Sequence, residues 1–374
     1  MVSPADARGL IAPRPRLATR AVERVGAGLV TSFDRAFGAW ALRTADHGRV
    51  ETLSADARVA ALQQSMPRYD AAFQAGREAF FPEPPIPDVR TQPAGLRFGK
   101  PAFDLTWHSG YAPFCPTAGS RYLSHAENHV AHARLFSRPG DPRPVVLLLH
   151  GYLTGPYRLE ERLWPVRWLL ARGLDVVLPV LPHHGPRKGK GRPPFPDADP
   201  RFTVEGFRQA VGDLRGLIGW LLARGAPAVG AVGMSLGGYT SALLATIDAR
   251  LDFVIPMIPL ASIADFAQER GKLAGAPHEH ATQHALLEQI YRVVSPLHAP
   301  PKVPRDGRMV IAAAQDQICP VRHAERLAEH FEVELLRFYG GHMMQLGRAD
   351  AWRRIGRFLG ERGLLGRQRS LQVA

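Results

Sequence analysis

Ser235 stands between two glycines in Gly233-Met234-Ser235-Leu236-Gly237, where the apolar run AVGAV ends and the helical pattern GYTSALLAT begins. A serine in that setting is a candidate nucleophile. A tight strand-to-helix turn lifts its hydroxyl above a sheet edge, and its neighbours must be small because backbone passes close on both sides. A neutral hydroxyl attacks poorly, so it needs an imidazole to take its proton and a carboxylate to orient that imidazole. Both are found downstream: Asp316 follows the run RMVIAAA, and His342 follows VELLRFYGG, with two glycines to let the ring swing back over the sheet. The chemistry these groups could do is acyl transfer through a serine ester, whose tetrahedral intermediate needs two backbone donors for its negative oxygen. The amide of Leu236, opening the helix after the serine, is one candidate. The other lies in His150-Gly151-Tyr152-Leu153, with Tyr152 first and Leu153 second; His150 itself reads as a loop stabiliser. Asp265, after the run FVIPMIP, is the alternative orienting carboxylate.

A second concentration of polar chemistry is the loop LPHHGPRKGKGRPPFPDADP, which holds His183, His184, Arg187, Lys188, Lys190 and Arg192. It follows a strand and so falls at the carboxyl edge where such sheets bind ligands. His183, His184, Arg187 and Lys188 are therefore expected to contact substrate, and the charge favours an anionic acyl compound such as a phospholipid or acyl thioester. A solvated Gly/Pro loop is the competing reading. The fifteen histidines also raise a metal site. His129 and His132 fall in a strand, where a three-residue step points the rings to opposite faces. His278, His280 and His284 lack an HExxH arrangement, so no metal is expected.

These residues need a scaffold, and the hydrophobic period supplies one. Short β-rich runs occur at FDLTWHS, HVAHARLFS, VVLLLH, DVVLPVLP, AVGAVGMS, FVIPMIP, RMVIAAA and VELLRFY. The last six are separated mostly by helical patterns such as Phe207, Val211, Leu214, Ile218 and Leu221, which demands parallel pairing; the first two could open the sheet antiparallel. Before residue 95 the pattern is helical: Val22 to Trp40 form one amphipathic stretch, and Val59, Leu62 and Met66 another that ends at Pro67. FPEPPIPDVRTQPAG then reads as a linker.

The pieces HGYLTG, GMSLGG, QDQICP and GGHMM, in that order at successive strand ends, resemble the alpha/beta-hydrolase superfamily over residues from about 100 to 365. The resemblance implies an α/β fold with a mostly parallel eight-stranded sheet and helices on both faces. Residues 1–95 would be an N-terminal helical accessory segment and linker, 96–366 the hydrolase domain with a lid at 260–305, and 367–374 a flexible tail. It further implies a serine hydrolase acting on a carboxylic ester or thioester, with Ser235, Asp316 and His342 as its triad and no cofactor. An acyltransferase using the same triad, and a non-catalytic membrane-docking module of the same fold, are the alternatives.

Composition narrows the partners. The net charge is +13, yet only five of the 47 basic residues are lysine and they are scattered, without the basic stripe interleaved with aromatics that nucleic-acid binders carry. A small-molecule or lipid acyl ester is expected instead, and no nucleic acid. Two cysteines, Cys115 and Cys319, offer no disulfide framework and fit a reducing compartment. No signal-peptide h-region or apolar run of spanning length is found. The expected location is the cytoplasm, with peripheral contact to an anionic bilayer through Val22–Trp40 left open.

Overall fold

A computed structural model describes residues 30–32, 34–35, 54–138, 140–190 and 195–366. Most of the Val22–Trp40 stretch, Arg192 and the 367–374 tail therefore lie outside the described residues. Nine strands form one sheet: β1 (Arg90–Arg97), β2 (Lys100–His108), β3 (Val130–Phe136), β4 (Val145–Leu149), β5 (Asp175–Pro179), β6 (Val229–Met234), β7 (Phe253–Met257), β8 (Val310–Ala313) and β9 (Leu335–Phe338). Their order is β1-β2-β3-β5-β4-β6-β7-β8-β9. The pairings from β5 through β9 are parallel, and those joining β1, β2, β3 and β5 are antiparallel.

The eight expected runs each contain a strand, and the ninth corrects the count. β1 lies in the stretch read as a proline-rich linker, so the sheet begins at Arg90, ahead of the expected boundary at residue 95. Its Pro93 does not prevent pairing because β1 is the outermost strand, where a missing N–H need not face a neighbour. One extra residue between Pro93 and Leu96 makes a bulge against Phe103 and Pro101 of β2.

Alternation along the central strands builds a core on each face. Val145, Leu147 and Leu149 of β4 join one cluster while Val146 and Leu148 join the other; Ala231 and Val232 of β6 divide likewise. The first face is covered by α1 (Ala55–Gln74), α3 (Pro200–Ala223), α4 (Leu236–Ala245), α6 (His280–Tyr291) and α7 (Val321–His330), and the second by α2 (Val166–Ala171) and α8 (Arg348–Glu361). Parallel strands covered on both faces explain why β4, β5, β6, β7 and β8 are buried along their whole length.

α1 begins at Ser54, whose hydroxyl accepts the Ala57 amide, and runs through Pro67 to Gln74 rather than stopping at the proline. An interior proline costs a helix hydrogen bond, but Tyr69 and Ala72, beyond it, are buried against the body and hold the last turns in place. The segment read as a lid, 260–305, contains α5 (Ile263–Glu269) and α6. Leu286, Leu287, Ile290 and Tyr291 of α6 are buried, and the helix packs on α1. Among the described residues no helix is long and apolar enough to cross a membrane.

Candidate active site

Ser235 follows β6 directly and caps α4 with φ 56° and ψ −115°, a left-handed, strained conformation for a side chain with a Cβ. The turn is enforced by its surroundings. Its amide donates to Met257 O of β7 (3.1 Å), and its carbonyl accepts from Tyr239 N (3.0 Å). A Cβ on Gly233 would run into the Gly237 carbonyl, and one on Gly237 into the Leu149 carbonyl of β4. A Cβ on Gly238 would come within 3.0 Å of Met257 O. The glycines therefore answer to backbone-on-backbone approach, and the serine hydroxyl is left half-buried at the carboxyl end of the central strand.

The two other expected side chains arrive on the ends of β8 and β9, with β7 between them and the serine's strand. Asp316 follows β8, and its Oδ1 accepts the amides of Ile318 (2.8 Å) and Cys319 (2.7 Å). Its Oδ2 lies 2.8 Å from His342 Nδ1, in the loop after β9. Both are buried, at 4% and 8% exposure. Burial alone would lower the His342 imidazole's proton affinity, but the Asp316 carboxylate outweighs it and holds the ring well above its usual value. Asp265, the alternative acid, lies elsewhere: it bonds His284 Nε2 (2.7 Å) and pairs with Arg326. His284 and Asp265 do lie with Glu288 in a group whose ligand atoms fall within 4.8 Å of one another. The Asp265 carboxylate is already met there by two side chains.

Cys319 is the residue that sequence reasoning passed over. Its Sγ is 3.9 Å from Ser235 Oγ, and its amide donates to Asp316 Oδ1 (2.7 Å), so the turn that carries the acid also meets the serine. Burial pushes that thiol up, which keeps it protonated. The available signal was its place three residues after Asp316 in one tight turn, read only for its disulfide potential. Asp316 thus bonds both His342 and the Cys319 amide, and the Cys319 thiol meets Ser235. For His342 to take the serine proton, its Nε2 must come within hydrogen-bond reach of the hydroxyl, a tightening that catalytic groups commonly make on binding substrate.

Of the expected oxyanion donors, Leu236 directly follows the serine in the chain. Leu236 is the first residue of α4, where helical N–H groups have no acceptor within the helix. Across from it, the loop after β4 passes Gly151, whose built Cβ would sit 3.6 Å from Ser235 Cβ, and then Tyr152 and Leu153, the latter at φ 65°. This loop is anchored from below. His150, which is buried, accepts the Leu181 amide at Nε2 (3.0 Å), so its Nδ1 donates to Gly151 O (2.8 Å). Glu160 accepts the Gly155 amide (2.8 Å).

The cationic loop differs from expectation. Arg187 is 1% exposed, its Nη2 2.8 Å from Asp213, and it donates to Val180 O and Asn128 O. Its charge is neutralised inside the protein and does not face a substrate. His183 is buried, its amide bonded to Asn128 Oδ1 and its ring pushed down to about 2, chiefly by burial. His184 is buried too, held by burial well below its ordinary value, with its ring against His150 and Tyr152. Of the four residues expected to contact substrate, only Lys188 is exposed. Arg187 and His183 are thus corrected to supports of the loop. The reason is physical: an arginine beside a buried aspartate from α3 is worth more to the fold than to an open surface.

A nine-stranded sheet with parallel strands from β5 to β9, covered on both faces and carrying a strained serine at the end of its central strand, is the alpha/beta-hydrolase fold. The chain superposes on an acetyl xylan esterase of Paenibacillus sp. R4 with a TM-score of 0.52 and 16% identity, over 77% of this chain and 93% of that one. In sequence it is 34% identical over 275 residues to an uncharacterized protein of Mycobacterium tuberculosis strain ATCC 25618 / H37Rv, and equally to one of strain CDC 1551 / Oshkosh. Those alignments take in 70% of this chain and 65% of each relative, so the chain spans just under two thirds of the length of the curated proteins it matches. No family model matches it.

Proposed function

We propose that the protein is a serine hydrolase that cleaves a carboxylic ester or thioester through an acyl-enzyme. Ser235 attacks the carbonyl carbon while His342 takes its proton, and Asp316 orients the imidazole and stabilises its cation. The oxyanion that forms is met by the amides of Leu236 and Tyr152, and His342 returns the proton to the leaving group. Water then attacks the acyl carbon while the same imidazole takes its proton, and the bond to Ser235 breaks as that proton passes back to the serine oxygen, releasing the acid. The observation that carries this reading is a strained half-buried serine whose hydroxyl meets Cys319, in the same turn whose Asp316 accepts the Cys319 amide and bonds the buried His342. The fold shared with an esterase supports the class of reaction but not the substrate.

The test is covalent capture by a fluorophosphonate probe, native protein against Ser235→Ala. One equivalent of label on the native chain and none on the variant is the expected result. Labelling that is absent, or that persists without Ser235, removes the proposal.

A further inference from the structure

The N-terminal segment reaches the same centre through one side chain. Asp34 is helical, 0% exposed and far in sequence from the loops it touches. Its Oδ2 accepts the backbone N–H of His342 (2.6 Å), its Oδ1 that of Met343 (3.0 Å), and Oδ2 also faces the Gln317 amide (3.4 Å). One carboxylate thus gathers amides from the loop after β8, which carries Asp316, and the loop after β9, which carries His342. Next to it, Arg35 Nε donates to the Gln317 side chain (3.3 Å). The β9 loop is shaped to receive it. A Cβ on Gly341 would collide with both the Asp34 carboxylate and the Val30 side chain, and Gly340 turns at φ 130°.

We propose that Asp34 is a positioning residue for His342: a buried carboxylate from the N-terminal segment that ties the two acid- and histidine-bearing loops together and so fixes the spacing of Asp316 and His342. This rests on the reading of Ser235, His342 and Asp316 as the reacting set. The physical need is plain. A loop carrying two adjacent glycines, Gly340 and Gly341, has wide conformational freedom, and the pair it must hold is effective only within a fraction of an ångström. The buried carboxylate in turn requires its donors, since a polar group without partners is costly to bury. The accessory segment is thereby part of the active centre, although none of its described residues touches a reacting atom.

The test uses the full chain carrying Asp34→Ala or Asp34→Asn, each alone and combined with His342→Ala. Amide hydrogen exchange over residues 339–346 reads the tie directly, and turnover of p-nitrophenyl acetate with fluorophosphonate labelling reads its consequence. In Asp34→Ala the 342 and 343 amides should exchange faster. Its kcat should fall by about 10- to 100-fold, the scale of a roughly 1 Å misplacement, with KM little changed. Asp34→Asn, which keeps the shape and one acceptor oxygen, should fall less. On the His342→Ala background neither substitution should cost anything further, since the effect passes through the imidazole. Unchanged exchange at 342 and 343 overturns the proposal, as does a rate loss that only tracks the folded fraction or persists undiminished without His342. Absence of Ser235-dependent labelling in the native chain would instead sink the hydrolase reading, and the exchange result would still report whether Asp34 holds the loops.

Discussion

Replacing Asp316 by asparagine changes one atom and should disable the site without unfolding it. Both carboxylate oxygens are committed, Oδ1 to the Ile318 and Cys319 amides and Oδ2 to His342 Nδ1. Asparagine has one oxygen and one NH2. Turning the NH2 toward the two amides would set donor against donor and leave two N–H groups unpaired, at about 1–3 kcal/mol each. The oxygen therefore stays with the amides and the NH2 faces His342. The imidazole must then accept at Nδ1 and carry its proton on Nε2, the tautomer that cannot take a proton from Ser235. Fixing the wrong tautomer in a triad costs about 10⁴ in kcat, or roughly 5.5 kcal/mol of barrier. The assay is kcat for p-nitrophenyl acetate together with the rate of fluorophosphonate capture, followed across the titration range of imidazole, with thermal unfolding to verify the fold. The pH profile has a definite sign. Because His342 is held well above its ordinary value, the neutral base appears only as pH rises through that raised pKa, so the native acid limb lies above about 6.5. Without the carboxylate the largest influence raising the imidazole is gone while burial remains, so the acid limb of the residual rate moves to lower pH. A variant that keeps its rate within about tenfold of native, with the acid limb unmoved, would refute the role given to Asp316.

Two further outcomes are expected of the scaffold. Gly237→Ala places a Cβ against the Leu149 carbonyl, a backbone atom of a central strand that cannot step aside, so urea unfolding should show a loss of at least about 1–3 kcal/mol and labelling of Ser235 should slow; full stability would mean that the turn is looser than described. Asp213→Ala leaves the Arg187 guanidinium buried without its counter-charge and should cost about 3–5 kcal/mol, whereas Arg187→Met combined with Asp213→Leu should cost less than the single change; a double variant weaker than Asp213→Ala would contradict the account.

Much of this arrangement could be read from the chain because the governing interactions are local. The alternation of β4 and β6 announces two buried faces, and Gly233, Ser235 and Gly237 announce a close turn. The placing of Asp316 and His342 after β8 and β9 follows from strand ends in one parallel sheet. What escaped depends on distant partners. Arg187 reads as a surface cation until Asp213, on another element, is seen to bury it. Cys319 has no signature of its own and matters only because its turn folds toward Ser235. Asp34 lies in a segment that the superfamily resemblance does not cover, and no spacing rule links it to residues 342 and 343. Pro93 argues against a strand unless that strand is known to be outermost.

That outermost strand has a consequence for how the molecule meets others of its kind. β1 is solvent-facing for most of its length, and an open row of amides and carbonyls there would invite another chain to zip on. Pro93 removes a donor from the row, the kink before Leu96 throws the remainder out of step, and Arg90 and Arg97 set like charges at its two ends. A flat ladder cannot grow on such a margin, so the features that disguised β1 as a linker also guard the sheet against unwanted extension.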